Sequence, residues 1–143
     1  MKRFKFTALF IIIIMIITSA SCDVIDDKVC LAIFISIGIS VETEDGTPVV
    51  FDEFTVSNSR TNRIIDLCES DSSFCDETGI HGNPELGQYT IFHDGVRNEI
   101  WGPAMGIIAE GRKGDLTFER LFVVGDNGCN VELLAGETTV VIE

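Results

Sequence analysis

Apolar and polar residues alternate along much of this chain, and the alternation is most regular between Leu31 and Val41. Every odd-numbered residue there is Leu, Ile or Val, whereas the residues between them are mostly small or polar. A period of two with many β-branched residues is typical of a strand that buries one face. We therefore predict a long strand over 31–41, with its odd-numbered side chains directed towards the core.

The later apolar runs are short and are separated by residues that favour turns. Gly, Pro, Asn and Asp are concentrated between these runs, for example at 44–48 and 125–128. The further strands predicted between the turns are 51–57, 63–67, 88–93, 105–110, 116–124, 129–134 and 138–142. We therefore predict an all-β fold, an antiparallel β-sandwich of seven to eight strands that is immunoglobulin- or transthyretin-like.

One long segment, 69–86, has little hydrophobic periodicity and contains several turn-forming residues. A connection of this length in a compact domain is usually functional or disordered, and binding residues concentrate in loops that a rigid scaffold holds. We therefore predict a surface loop, either an interaction surface or an insertion without a function of its own. The residues predicted to form its interaction surface are Phe74, Asp76, Glu77, Ile80 and His81.

The first 21 residues have the three parts of a secretory signal peptide. Lys2, Arg3 and Lys5 precede ten consecutive apolar residues at 8–17, and small residues precede Cys22. Ten apolar residues are half of the roughly 20 that a membrane-spanning helix needs. The sequence therefore predicts a lipoprotein signal peptide at 1–21, a lipid with palmitate on Cys22, an acidic tether at 22–29 and a β-sandwich domain at 30–143. Ser19, where Leu is usual in lipoprotein signals, leaves an ordinary secreted protein as the alternative.

The cysteine count favours lipidation and two disulfides. Of the five cysteines, lipidation of Cys22 leaves an even number, and exported proteins usually pair such cysteines. Four cysteines allow three pairings, and the spacing favours Cys68 with Cys75, which leaves Cys30 for Cys129. Without a Cys-x-x-Cys pair, a zinc site is the less favoured alternative.

Charge excludes one class of partner. The whole chain has a net charge of −13, and removal of residues 1–21 takes away three cations and no acids, which leaves −16. A nucleic-acid partner is therefore not expected, because affinity for phosphate comes from Lys and Arg. The acidic residues around 42–53 and 66–77 do not follow the alternating pattern of a calcium loop. We predict a solvated acidic rim, with no metal and no cofactor.

Few residues are candidates for catalysis. His93 precedes Asp94, but no nucleophile elbow accompanies them, and adjacent residues on a strand point apart. A surface histidine and a non-enzymatic protein are therefore predicted, with a small secreted hydrolase that uses His93 as the alternative. Trp101, the only Trp, is predicted to plug the core or a sheet edge, with a platform for a ligand as the less favoured alternative.

The C-terminal run Phe122-Val-Val-Gly-Asp-Asn-Gly-Cys-Asn-Val-Glu-Leu-Leu134 is similar to the ending of small lipoproteins of Bacteroidetes-type bacteria. Those proteins carry a carboxypeptidase-regulatory-like (transthyretin-like) β-sandwich, in which a strand and an acidic turn lead into a Cys-His-Val segment. Asn130 occupies the position of that His here, so a role of the imidazole would be absent. The resemblance implies a non-catalytic accessory domain.

We accordingly expect an exported, lipid-anchored protein of the bacterial cell envelope, in the periplasm or on the outer-membrane surface. Its lipid on Cys22 would attach it to the membrane, and its sandwich would bind a protein or glycan partner in the envelope.

Overall fold

The computed structural model of this protein describes Cys30 and residues 33–70 and 72–142. The predictions for 1–21, Cys22 and the tether lie outside the described residues. The side chain of Phe74, one of the predicted interaction residues, also lies outside them. Across the described part of the chain, no helix is both long enough and apolar enough to cross a membrane.

Eight strands and one short helix are the regular elements of the described residues. Their bounds are β1 Ser36–Thr43, β2 Glu53–Asn58, α1 Leu67–Ser70, β3 Gly82–Asn83, β4 Gln88–His93, β5 Ala104–Lys113, β6 Leu116–Asp126, β7 Val131–Ala135 and β8 Thr139–Ile142. Three turns of 3₁₀ helix lie at Ser72–Phe74, Pro84–Leu86 and Asp94–Glu99.

The strands form two four-stranded sheets. The first sheet has the order β3-β4-β1-β8 and the second sheet has the order β2-β5-β6-β7. The predicted all-β sandwich is confirmed as an arrangement of two sheets. The expectation of antiparallel pairing is wrong for one pair, because β1 and β8 run parallel. The core lies between the sheets, and its largest fully buried side chains are Tyr89, Phe92, Phe122, Ile39, Ile91, Ile107, His93, Val41 and Val124.

The first predicted strand begins later in the sequence than the alternation suggested. Ile37, Ile39 and Val41 are buried as predicted, but β1 begins only at Ser36. Ser36 pairs with His93, the last residue of β4, and beyond this pair the Asp94 N–H donates to the Ile35 carbonyl at 3.0 Å. The backbone N–H of Ile35 in turn donates to the Asp94 carboxylate at 2.7 Å.

The predicted strand at 63–67 is wrong. Ile64 makes one isolated bridge to Ser57, and helix α1 begins at Leu67. The carboxylate of Asp66 accepts hydrogen bonds from the backbone N–H groups of Cys68 and Glu69, at 2.9 and 3.0 Å. A side chain that satisfies the first amides of a helix stabilises the helical turn, and this local interaction overrides the strand pattern.

The prediction of a surface loop over 69–86 is also wrong in part. Ile80 and His81 are buried, and Gly82–Asn83 pairs with β4 as an edge strand. The carboxylate of Asp76 accepts hydrogen bonds from the backbone N–H groups of Thr78 and Ile80. The resulting turn brings the chain back to the sheet and directs Ile80 into the core.

Tyr89 joins the two sheets and the segment between β1 and β2. Its hydroxyl donates to the Val49 carbonyl at 2.7 Å and accepts from the Phe51 N–H at 2.8 Å. Its ring packs on Phe54 of the second sheet, with ring centroids 4.5 Å apart. Burial raises the pKa of the Tyr89 hydroxyl, which stays neutral and holds residues 49–51 in place.

Candidate functional site

The four described cysteines form the two disulfides that their spacing favoured. Cys30 pairs with Cys129, with Cα atoms 5.2 Å apart, and Cys68 pairs with Cys75, with Cα atoms 6.0 Å apart. The first bridge ties the chain before β1 to the start of β7, and the second closes the turn around α1. Disulfides persist in oxidising compartments, and both bridges are compatible with a protein outside the cytoplasm.

His93 is a core residue, and the prediction of a surface histidine is wrong. Its ring is fully buried, and Nδ1 accepts a hydrogen bond from the Gly95 N–H at 3.0 Å. Since a backbone N–H only donates, the ring proton lies on Nε2, which donates to the Leu67 carbonyl at 3.0 Å. The ring of His81 stacks on it at 5.0 Å. Both nitrogens of His93 are therefore engaged with backbone, and neither is placed to take a proton from a substrate.

Asp94 does not face His93 as a catalytic partner but binds two other segments, the chain before β1 and the start of β7. Its carboxylate accepts hydrogen bonds at 2.7 Å from the N–H groups of Ile35 and Val131 and from the Asn130 side chain. Burial raises the pKa of the carboxyl, but the bonds from Val131, Ile35 and Asn130 and the charge of Arg97 outweigh burial and lower it.

The side-chain amide of Asn130 has a structural role. It donates to the Ile33 carbonyl and to Asp94, both at 2.7 Å. Arg97 donates to the Cys129 carbonyl beside the long disulfide. We call Asp94, Asn130, Arg97 and the Cys30–Cys129 bridge the N-terminal junction, because together they attach Cys30 and residues 33–35 to the end of β4 and the start of β7.

The acidic residues do not converge on a metal site. Among the described residues, no three His, Cys, Asp or Glu side chains are placed to hold one ion. Several of the acids instead stabilise their own turns. Asp66 caps α1, Asp76 binds the amides of its turn, and Asp45 binds Thr43 and Thr47. Hydrogen bonds from Thr43 and Thr47 lower the pKa of the Asp45 carboxyl.

Trp101 lies at the surface, and the prediction that it plugs the core or a sheet edge is wrong. Its side chain is 83% exposed. It follows the 3₁₀ turn that ends at Glu99 and precedes Gly102, whose φ of +86° turns the chain before Pro103 and β5. The connection therefore holds the indole outside both sheets.

Trp101 forms one wall of a groove of about 420 Å³ at one end of the second sheet. We call it the Trp101 groove. Its lining residues are 58–61, Arg63, Glu99, Trp101 and 104–106. Arg63 and Glu99 form an ion pair across the lining. The groove thus combines one aromatic surface with charged and hydroxyl-bearing side chains.

The turn after β2 positions the polar residues that line the groove. The Asn58 side chain accepts hydrogen bonds from the N–H groups of Arg60 and Thr61, at 2.9 and 3.1 Å. The N–H of Ser59 donates to the Gly106 carbonyl at 3.0 Å. A Cβ on Gly106 would lie 2.4 Å from the Ser59 hydroxyl, so a larger residue there would displace this hydroxyl from the groove lining.

Two exposed leucines lie on the outer face of the second sheet, near the groove. Leu121 is 59% exposed and Leu134 is 50% exposed, and Leu121 pairs with Ile108 on β5. Leu121 also lies beside Gly106, on the groove lining. The other half of this face is charged, with an ion pair between Glu53 and Arg112. The apolar character is therefore confined to the groove end of the sheet.

Of the predicted interaction residues, Asp76 and Glu77 are exposed, whereas Ile80 and His81 lie in the core. The structure does not gather them into one surface. The Trp101 groove is the better candidate site, and none of its residues belongs to that predicted set. No family model, no curated protein and no solved structure matches this chain.

Proposed function

We propose that this protein is a lipid-anchored protein of the bacterial cell envelope, and that its β-sandwich binds a protein or glycan partner through the Trp101 groove. The observation that carries the proposal is the 83% exposure of the only Trp in the chain, on the wall of a groove. Indole surface left in water is unfavourable unless a ligand covers it, and Trp and Arg are the residues most enriched at binding hot spots.

The size and lining of the groove support this role. Ligand sites in proteins usually have volumes of about 300–1,000 Å³ and combine apolar walls with a few placed polar groups. The Trp101 groove has about 420 Å³ and has both kinds of lining. Leu121 and Leu134 extend the apolar surface beyond it. The site is therefore large enough for a small ligand or for one segment of a larger partner.

The state of the two histidines supports binding rather than catalysis. His81 and His93 are both buried, and both nitrogens of His93 bond to backbone. Asp94 holds the N-terminal junction. The two disulfides and the signal peptide inferred from the sequence support export, and the two-sheet sandwich is compatible with the transthyretin-like assignment, which stays part of this proposal.

The anchor is tested by Cys22→Ala. We expect wild-type protein to partition with membranes and to incorporate a labelled fatty acid, because the Cys22 thiol would receive the lipid. The variant should lose the label and leave the membrane fraction. Ser21→Ala is the matched control, since it keeps a small residue before Cys22 and should remain labelled. Absence of label on the wild type would end the proposal of an anchor.

The groove is tested by Trp101→Ala in the mature Cys22→Ala chain, so that no lipid contributes to binding. We expect Trp101→Ala to reduce sedimentation with isolated envelopes of the producing bacterium at least tenfold. The control is Leu86→Ala, which removes another exposed apolar side chain, 56% exposed and outside the groove lining. Equal sedimentation of the Trp101 and Leu86 variants would refute a role of the groove.

A further inference from the structure

We infer that the Trp101 groove binds a saccharide that carries a carboxylate, such as a chain of uronic acids. This inference rests on the proposed function and names the chemical class of its ligand. Three features of the lining carry it: an exposed indole, an arginine without an acidic partner, and hydroxyl groups beside an Arg–Glu pair.

The indole fits the apolar side of a sugar ring. A pyranose presents C–H groups on its faces and hydroxyl groups at its rim. The face of an aromatic ring carries partial negative charge and attracts the slightly positive C–H groups that pack on it. Trp101 is 83% exposed and lines the groove, so one ring of a saccharide can lie against it without any rearrangement of the core.

The charges of the groove favour an acidic ligand. Arg63 is already paired with Glu99, whereas Arg60 has no carboxylate within ion-pair distance among the described residues. Arginine binds carboxylates through two parallel hydrogen bonds and keeps its charge at all relevant pH values. The lining therefore has one uncompensated positive charge in a chain whose net charge is −13. Salt screens the more distant acids, because the Debye length is about 8 Å at physiological ionic strength.

The remaining lining groups suit hydroxyls. Ser59 and Thr61 each offer a hydroxyl that donates and accepts, and the Arg63–Glu99 pair presents planar donors and acceptors at the rim. Glu99 is the single carboxylate in the lining, whereas glycoside hydrolysis usually needs two carboxyl groups. The groove therefore binds the saccharide without cleaving it.

A peptide fits this groove less well. Peptides that add to a sheet edge bond to unpaired backbone groups. Here the N–H of Asn58 donates to the Arg63 carbonyl and the N–H of Ser59 donates to the Gly106 carbonyl. These two N–H groups are therefore not free to pair with a peptide, whereas the side chains of the lining offer the groups that a sugar acid requires.

The experiment uses the mature Cys22→Ala chain and the emission of Trp101, which is the only Trp and therefore reports on the groove alone. The probes are oligosaccharides of galacturonate, glucuronate and mannuronate, neutral oligosaccharides of equal length, and a glutamate oligopeptide. We expect a saturable change of emission with at least one uronate, and at least tenfold weaker binding of the neutral and peptide probes. Higher salt should weaken uronate binding.

Arg60→Ala should weaken uronate binding about tenfold and leave neutral saccharides unaffected. Arg120→Ala, which removes an exposed cation outside the groove lining, should bind as the parent does. Trp101→Phe, followed by calorimetry, should retain part of the affinity, because a smaller aromatic face remains. If the Arg60 and Arg120 variants lost the same affinity for uronate, the proposed role of Arg60 would be refuted, because the overall charge of the protein would then explain the loss.

The two proposals fail in different ways. If no uronate changes the emission while Trp101→Ala still abolishes sedimentation with envelopes, the groove binds another class of partner and the saccharide inference is refuted. Preferential binding of the glutamate peptide would refute it in favour of an acidic protein segment. If Trp101→Ala leaves sedimentation unchanged and no uronate binds, both proposals are wrong.

Discussion

Loss of the long disulfide is expected to lower the free energy of unfolding by about 4–5 kcal/mol. Cys30 and Cys129 are 99 residues apart in sequence, so their bridge removes much of the freedom of the unfolded chain. The bridge between Cys68 and Cys75, with a separation of 7, should contribute only about 2–3 kcal/mol by the same relation. Since domains of this size usually have 5–15 kcal/mol in all, loss of the long bridge should leave a marginally stable protein.

Denaturant unfolding of two paired variants would measure this difference. In the mature Cys22→Ala chain, Cys30→Ala/Cys129→Ala removes the long bridge and Cys68→Ala/Cys75→Ala removes the short one, so neither variant retains a free thiol. The midpoint should fall further in the first variant. If the variant without the short bridge had the lower midpoint, the short bridge would stabilise the native structure around α1 by more than the lost freedom of the unfolded chain explains.

Strand positions could be predicted where apolar and polar residues alternated regularly and the strand had a partner on each side. Ile37, Ile39 and Val41 follow the predicted pattern because β4 and β8 pair on both sides of β1. The prediction of a strand at 63–67 was wrong because Asp66 caps a helix there. Such short-range bonds from side chain to backbone are visible in sequence only as single residues, and an average pattern does not reveal them.

The candidate site was harder to predict, because exposure depends on where the chain turns. Trp101 looks like a core residue by its type, but its side chain lies at the surface, just before the turn at Gly102. His81 and Ile80 look like loop residues, but the turn around Asp76 returns them to the core. Neither the exposure of Trp101 nor the burial of Ile80 and His81 could be predicted from the amino-acid composition or from the spacing of apolar residues.

One sequence signal did point to the groove end of the second sheet. The run Leu121-Phe122-Val123-Val124 is continuously apolar, and in an antiparallel sheet such a run makes both faces apolar. Phe122 and Val124 fill the core, whereas Leu121 lies on the outer face beside Gly106. An apolar residue out of phase with its strand is therefore the feature that could have indicated this surface from the sequence.

Asp94→Ala is expected to cost about 2–4 kcal/mol, because it leaves the N–H groups of Ile35 and Val131 and the Asn130 amide without their charged acceptor. Asp94→Asn should cost less, since an amide oxygen can still accept part of these bonds. Asp115→Asn, at the exposed turn between β5 and β6, is the control and should have little effect.

The Asp94 contribution should also depend on pH in a defined direction. The pKa of this carboxyl is lower in the folded protein than its ordinary value of 3.8. Its stabilisation is therefore fully present above that ordinary value and is lost as the pH falls through the lowered folded value. The wild type and Asp94→Asn should differ in unfolding free energy at pH 7 and converge in strong acid. A difference that stayed constant down to pH 2 would mean that shape, and not the charge, explains the effect.

Asp94 and the long disulfide should not act independently, because they attach Ile35 and Cys30, respectively, to the start of β7. Once the bridge is removed, the chain before β1 detaches more easily, and the bonds to Asp94 hold a segment that is already partly released. We therefore expect Asp94→Ala to cost at least 1 kcal/mol less in the Cys30→Ala/Cys129→Ala background than in the wild type. Denaturant unfolding of the four proteins of this cycle gives the coupling directly. Additive costs would show that the bridge and the carboxylate stabilise separate parts of the fold, and the N-terminal junction would then not be one cooperative unit.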